Sequence, residues 1–139
     1  MALRSLIVMD WTDAQAPSLE DLEQLARAAY DGLPKEFRAL ADGVVLMVQD
    51  FPDEDVIADM ALLSEFDILG LFQGPDLAGQ ETGYPAQTMI FLYRRPILDY
   101  WAEHEEALSA IVRHVLIHEI GHHFGLSDDD MNAIEDAGD

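Results

Sequence analysis

The sequence contains no cysteine among its 139 residues. The chain therefore forms no disulfide bond and offers no thiolate ligand to a metal ion. The lack of disulfides fits a protein of a reducing, intracellular compartment.

Basic residues are scarce as well. Seven Lys and Arg residues stand against 28 Asp and Glu residues, and the formal net charge is −21. Such a charge repels nucleic acids and anionic membrane surfaces, so neither is an expected partner. Two interpretations of the charge stay open. In the first, the acidic charge attracts cationic substrates or partners. In the second, it only forms a solvated acidic surface that keeps the protein soluble.

The sequence also lacks long apolar runs, because none approaches the ~20 residues of a transmembrane helix. The N-terminal run Leu6–Met9 is too short for the apolar core of a secretory signal. Together with the missing cysteines, this predicts a cytoplasmic protein. Since 50% of the residues are hydrophobic, the chain can still fill the core of one domain of ordinary size.

Hydrophobic periodicity and capping residues predict a mixture of helices and strands. Ser18 and Asp21 resemble a capping box at the start of a helix that ends near Gly32. Further helices are expected at 35–41, after Pro52 and from residue 94. A second, longer helix then follows through His123, and a last short helix is expected at 129–136. Strands are expected at 4–9, 44–49, 68–73 and 88–94, and a long loop at 74–87. The pattern predicts an α+β domain in which a mixed sheet of three or four strands packs against helices.

The most specific pattern is His118-Glu119-x-x-His122-x-x-Gly125-x-x-Asp128. On a helix, His118 and His122 lie on the same face and can bind one zinc ion through ring nitrogens. Glu119 lies beside the first ligand and can act as general base toward a water molecule that the metal activates. Gly125 suits a sharp turn at the helix end, after which Asp128 can return as an oxygen ligand. Three protein ligands and an open position are typical of catalytic zinc.

The motif also has a structural interpretation. A His pair at helical spacing can lie on a solvated face, and Gly125 can be an ordinary helix C-cap. The metal interpretation is favoured because apolar side chains recur at helical spacing through residues 107–120. The motif therefore lies on a long, mostly buried helix, as the chemistry requires.

With this motif the chain resembles the zincin metallopeptidases, and its glycine and third ligand resemble the metzincin branch in its Asp variant. The overall plan is similar to that of a minimal zincin-like metallopeptidase family of bacteria, over about residues 18–135. The likeness includes the strand Val44–Gln49, the stretch Leu69–Gly74 and the segment Phe91–Ile97.

The resemblance implies one zincin-like domain over residues 1–139, with residues 1–17 as an N-terminal arm. It implies that His118, His122 and Asp128 bind one zinc ion, and that Glu119 is the catalytic base of a zinc metalloendopeptidase. The strand at 68–73 would border the cleft and hydrogen-bond an extended peptide or protein substrate. The acidic composition would favour basic peptides.

A second function stays open. Larger metzincins have a lower subdomain after the third ligand, with a Met-containing turn beneath the zinc, whereas 11 residues follow Asp128 here. Met131 can imitate that methionine, but core packing is the favoured interpretation. The alternative is a weakly active or non-catalytic metal-binding or protein-interaction module on a zincin scaffold.

Further polar residues admit two roles each. His114 either supports the site or is a partly buried helix residue, and Tyr84 is either an oxyanion donor or a plain loop residue. Arg94 and Arg95 pair with carboxylates near the site or form surface salt bridges.

Two aspartates that follow Asp128 also have both a metal-binding and a structural interpretation. Asp129 and Asp130 are alternative oxygen ligands, although capping of the last helix explains them equally. His123 lies about 100° round the helix from His122 and is expected outside the ligand set.

Overall fold

A computed structural model of the chain describes residues 10–74 and 88–137. Within them the backbone forms three strands and six helices. In chain order these are α1 (Leu19–Asp31), α2 (Lys35–Leu40), β1 (Val45–Gln49), α3 (Glu54–Asp59), β2 (Gly70–Gln73), β3 (Met89–Tyr93), α4 (Arg94–Glu103), α5 (Leu108–His123) and α6 (Asp128–Ala137). The strand predicted at 4–9 and the loop residues 75–87, with Tyr84, lie outside the described residues.

The strands form one mixed sheet in the order β1-β3-β2. β1 is parallel to β3, with Val45 opposite Met89, and β2 is antiparallel to β3, with Gly70 opposite Leu92. β3 is the central strand, and its residues Ile90 and Leu92 are fully buried. In the described part of the chain, β2 lies at a sheet edge. The predicted α+β class and the edge position of this strand are confirmed.

Helix α1 begins with the predicted capping box. The Ser18 hydroxyl accepts a hydrogen bond from the Asp21 N–H, and the Asp21 carboxylate accepts one from the Ser18 N–H. Leu22 and Ala26, four residues apart and therefore on one face, are fully buried. Through this face α1 packs against α5 and β1.

Helix α5 carries the motif and forms the centre of the core. Val112, Leu116, Ile117 and Ile120 on this helix have no exposed surface, and burial of each side chain contributes about 1.5–3 kcal/mol. The helix packs against α1, α4, α6, β2 and β3. Such packing holds the motif rigidly beside the sheet. Among the described residues, no helix combines the length and apolar character needed to span a bilayer.

The turn between α5 and α6 is a Schellman motif. Leu126 N–H donates to the Gly121 carbonyl, and Gly125 N–H donates to the His122 carbonyl. Gly125 has φ +74°, the left-handed conformation that glycine adopts without steric cost. Its predicted place at a sharp turn is confirmed.

Helix α6 docks on α5 through Met131, which is fully buried. A Cβ atom at Gly121 would lie 2.7 Å from Cγ of Met131, so a glycine allows the two helices to approach this closely. The core-packing interpretation of Met131 is confirmed.

Candidate metal centre and active site

His118 and His122 lie one turn apart on α5. Their ring centroids are 5.5 Å apart and the ring planes are nearly perpendicular, at 79°. His118 is partly buried, whereas His122 is exposed. The pair shares a helix face, as its spacing predicted.

Glu119 lies between α5 and the edge strand. Its Oε1 accepts a hydrogen bond from the Phe72 N–H of β2 at 3.1 Å. Burial raises the pKa of Glu119, while the Phe72 hydrogen bond and the nearby His122 act in the opposite direction. A carboxylate with a raised pKa is a better proton acceptor than an exposed one, which suits a general base.

The outward direction of the Phe72 N–H follows from the strand register. Tyr93 N–H donates to the Leu69 carbonyl at 2.9 Å, so the backbone groups of residues 69, 71 and 73 face β3 in this antiparallel pair. Those of Gly70 and Phe72 therefore face outward. The outward edge of β2 meets the motif at Glu119.

An aromatic cluster packs β2 against the end of α5. The Phe72 ring stacks on His123, with centroids 3.9 Å apart, and contacts Phe124 edge-on at 5.8 Å. His123 thus contacts the edge strand instead of joining the pair formed by His118 and His122.

Asp128 is the first residue of α6, and its side chain is exposed. The structure does not gather it with the two motif histidines. In residues 10–74 and 88–137, the His, Asp and Glu side chains whose ligand atoms lie within 4.8 Å of one another are His114, His118 and Glu135. The assignment of Asp128 as third ligand stays a prediction.

Glu135 of α6 joins two histidines of α5. Its Oε1 lies 2.7 Å from Nδ1 of His114 and 3.0 Å from Nε2 of His118. Burial lowers the pKa of His118, and the neighbouring His114 adds to this, whereas Glu135 opposes it. The neutral imidazole, which is the metal-binding form, is therefore favoured.

The sequence pattern did not single out Glu135, although a signal was present. Met131 and Glu135 are four residues apart on α6, so a buried Met131 places Glu135 on the face toward α5. His114 was expected to be partly buried or to support the site. Its side chain is 53% exposed and is bonded to Glu135.

The remaining polar candidates have structural roles. Asp130 accepts a hydrogen bond from the Ser127 N–H and donates its own N–H to the Ser127 hydroxyl, which caps α6. Arg94 pairs with Asp50 at 3.1 Å and donates to the Pro17 carbonyl, which ties the segment before α1 to the sheet.

Arg95 makes a different contact from its neighbour. Its guanidinium lies 5.6 Å from the centroid of the Phe51 ring, a cation–π arrangement. This contact lies outside the histidine cluster.

The donor atoms on α5 and α6 suit zinc. Imidazole nitrogens and carboxylate oxygens are ligands that zinc takes in proteins, and His118 stands next to both kinds. An HExxH helix beside a strand that lies at the sheet edge among the described residues is typical of the metallopeptidase class.

Comparison with known proteins agrees with this class. The family model for zincin-like metallopeptidases matches residues 41–137, from just before β1 through α6. The chain belongs to the zincin-like metallopeptidase family. Among proteins with curated descriptions, none matches the chain significantly.

Proposed function

We propose that the protein is a zinc-dependent endopeptidase in which Glu119 is the general base. One observation carries the proposal. The Glu119 carboxylate, within the His118–Asp128 motif, is hydrogen-bonded to the outward N–H of Phe72 on the edge strand. The base therefore stands where an extended peptide added to β2 would pass.

His118, His122 and Asp128 would hold the zinc ion in this reaction. Zinc, when bound, polarises the scissile carbonyl and makes a water molecule more acidic. Glu119 accepts the proton of the attacking water and delivers it to the amine nitrogen of the leaving peptide. The partial burial of Glu119 supports this role because it raises the affinity of the carboxylate for a proton.

The substrate would bind along β2. The outward backbone groups of Gly70 and the outward carbonyl of Phe72 can pair with the backbone of an extended chain, while the Phe72 N–H donates to Glu119. The net charge of −21 supports a preference for Lys- and Arg-containing peptides, which the acidic surface attracts at low salt.

Glu119→Gln is the direct test of the reaction. The glutamine carbonyl can still accept the Phe72 hydrogen bond, so the fold and zinc content should match those of the wild type. Turnover should fall by roughly 10²–10⁴-fold, the contribution of general acid–base catalysis. Hydrolysis is measured on unstructured and short basic peptides with and without chelator, and zinc by elemental analysis.

Glu105→Gln is the matched control, because Glu105 is exposed and lies before α5. It should leave turnover unchanged. Equal activity of Glu119→Gln and wild type would show that the proposed mechanism is wrong.

A non-catalytic or weakly active metal-binding module is the second candidate. It is favoured by the position of Asp128, which is exposed and outside the cluster formed by His114, His118 and Glu135. The same peptide screen separates the two functions. Zinc binding without any chelator-sensitive hydrolysis would support the module, and chelator-sensitive cleavage would support the peptidase.

A further inference from the structure

Three side chains on two helices converge on one point, and only one of them, His118, belongs to the ligand set of the motif. Nδ1 of His114 and Nε2 of His118 both lie within 3.0 Å of the same oxygen, Oε1 of Glu135. All three ligand atoms lie within 4.8 Å of one another. Two imidazoles and one carboxylate form a donor set that suits zinc and other first-row transition metals.

The position of Glu135 is fixed by contacts other than those with the histidines. Arg113 of α5 donates to the backbone carbonyls of Glu135 and Ile134, at 2.8 and 3.0 Å. Met131, one turn earlier on α6, is fully buried against Gly121. The carboxylate is therefore held beside the histidines by a packed helix pair, and binding requires little further ordering.

The cluster is open to solvent on one side. His114 and Glu135 line a groove of about 490 Å³ that also includes Glu106 and Asp136. These two carboxylates add negative potential near the cluster and attract cations. A metal ion can therefore reach the three ligands without opening of the core.

We propose that His114, His118 and Glu135 form a second transition-metal site that binds Zn²⁺ without His122 and Asp128. A neutral imidazole has one nitrogen lone pair, so His118 serves one ion at a time. The second site and the motif therefore compete for His118, and an ion held by His114 and Glu135 removes His118 from the motif. The proposal does not depend on peptidase activity.

The test uses Zn²⁺ alone and the full chain. In the His122→Ala/Asp128→Ala double variant, which lacks two of the three motif ligands, about one equivalent of Zn²⁺ should still bind. Adding either His114→Ala or Glu135→Gln should weaken that binding at least ~10-fold, since loss of a supporting residue alone costs this much at metal sites. Affinity is measured by calorimetry and by competition with a chromophoric chelator.

Two controls match these substitutions. His104→Ala removes an exposed histidine that stacks on Tyr100, and Glu65→Gln removes an exposed carboxylate that does not line the groove. Neither should change Zn²⁺ affinity in the double variant by more than about 2-fold, a change within the usual scatter of such contributions. Thermal unfolding checks that each variant folds, and His114 is exposed enough for its loss to be tolerated.

Three results would overturn the proposal. The first is a double variant that binds no Zn²⁺. The second is a double variant whose affinity is unchanged by His114→Ala and Glu135→Gln. The third is binding of two Zn²⁺ ions by the wild type at once, which would contradict the sharing of His118. The turnover of Glu119→Gln tests the proposed reaction, whereas Zn²⁺ binding by the double variant tests this second site. Either proposal can therefore fail without the other.

Discussion

Two opposing effects act on the pKa of the Glu119 carboxyl group. Burial raises its pKa, and the Phe72 N–H and His122 lower it. Burial is the larger cause, so the group is a stronger base than a surface glutamate. The hydrogen bond from Phe72 also fixes the carboxylate at the edge strand. The base strength of Glu119 and its position therefore both result from the packing of α5 against β2.

Tyr93 gives a pH-dependent prediction. This residue ends β3 with 1% of its surface exposed, and burial raises its pKa from 10.0 to about 12, with smaller contributions from Asp53 and Glu119. The fold therefore favours the protonated phenol. Its stabilisation is complete below pH 10.0 and is lost as the pH rises toward about 12, at about 1.4 kcal/mol per pH unit.

Urea unfolding of wild type and Tyr93→Phe between pH 8 and pH 12 measures this contribution. The free energy of unfolding should fall less steeply in the variant above pH 10, because phenylalanine cannot ionise. A tyrosinate absorbance titration of the wild type should show a component that ionises near pH 12, and Tyr93→Phe should remove that component. Parallel curves for the two proteins would contradict the assignment.

Strand β2 is held against the motif helix at a point with no space for a side chain. A Cβ atom at Gly70 would lie 2.6 Å from Cγ1 of Val115 on α5 and 2.9 Å from the backbone oxygen of Phe91 on β3. The second atom belongs to the central strand and cannot rotate away. Gly70 thus sets the distance between β2, β3 and α5.

Gly70→Ala should therefore destabilise the protein by about 1–3 kcal/mol, the usual cost of overpacking. It should also lower turnover, because displacement of β2 moves the Phe72 N–H away from Glu119. Urea unfolding and peptide hydrolysis measure the two effects.

Gly32→Ala is the matched control for this substitution. A Cβ atom there would make ordinary contacts, at 3.4 and 3.7 Å, with the backbone oxygens of Ala28 and Ala29. The control should change stability by less than about 1 kcal/mol. Equal stability of the two variants would show that the space at Gly70 is not limiting.

Local patterns predicted the secondary structure well. The strands expected at 44–49, 68–73 and 88–94 are found at Val45–Gln49, Gly70–Gln73 and Met89–Tyr93. Local patterns could not predict the strand order β1-β3-β2, because β3 pairs with β1, which is far away in the sequence. Pairing of this kind depends on how the elements pack together.

The candidate site was predicted in part. The spacing of His118 and His122 placed them on one face, since helix geometry alone decides this. The contact of Glu135 with His118 depends on how α6 docks on α5, which no local spacing specifies. Likewise, the hydrogen bond between Glu119 and Phe72 joins residues from separate elements.

The acidic surface affects the stability of the whole molecule. With 28 acidic and 7 basic residues, the folded chain brings many like charges close together and repels itself. Raising NaCl from about 0.01 M to about 1 M shortens the screening length from ~30 to ~3 Å. The melting temperature should therefore rise with salt, as followed by circular dichroism.

The same salt series should weaken the binding of Lys-rich peptides, because screening reduces their attraction. Choline chloride is the control for specific sodium binding and should give a similar rise in melting temperature. A melting temperature that falls or stays constant across the series would contradict self-repulsion as a destabilising force in this fold.

The central position of β3 has a consequence for biosynthesis. In the part of the chain that the structure describes, β1 and β2 both pair with β3, which is the last of the three to be made. A nascent chain that has produced both outer strands still lacks their common partner. A ribosome that stalls before Met89 therefore yields a fragment in which neither β1 nor β2 has the strand that it pairs with in the described fold, and which also lacks α5, the helix against which α1 packs.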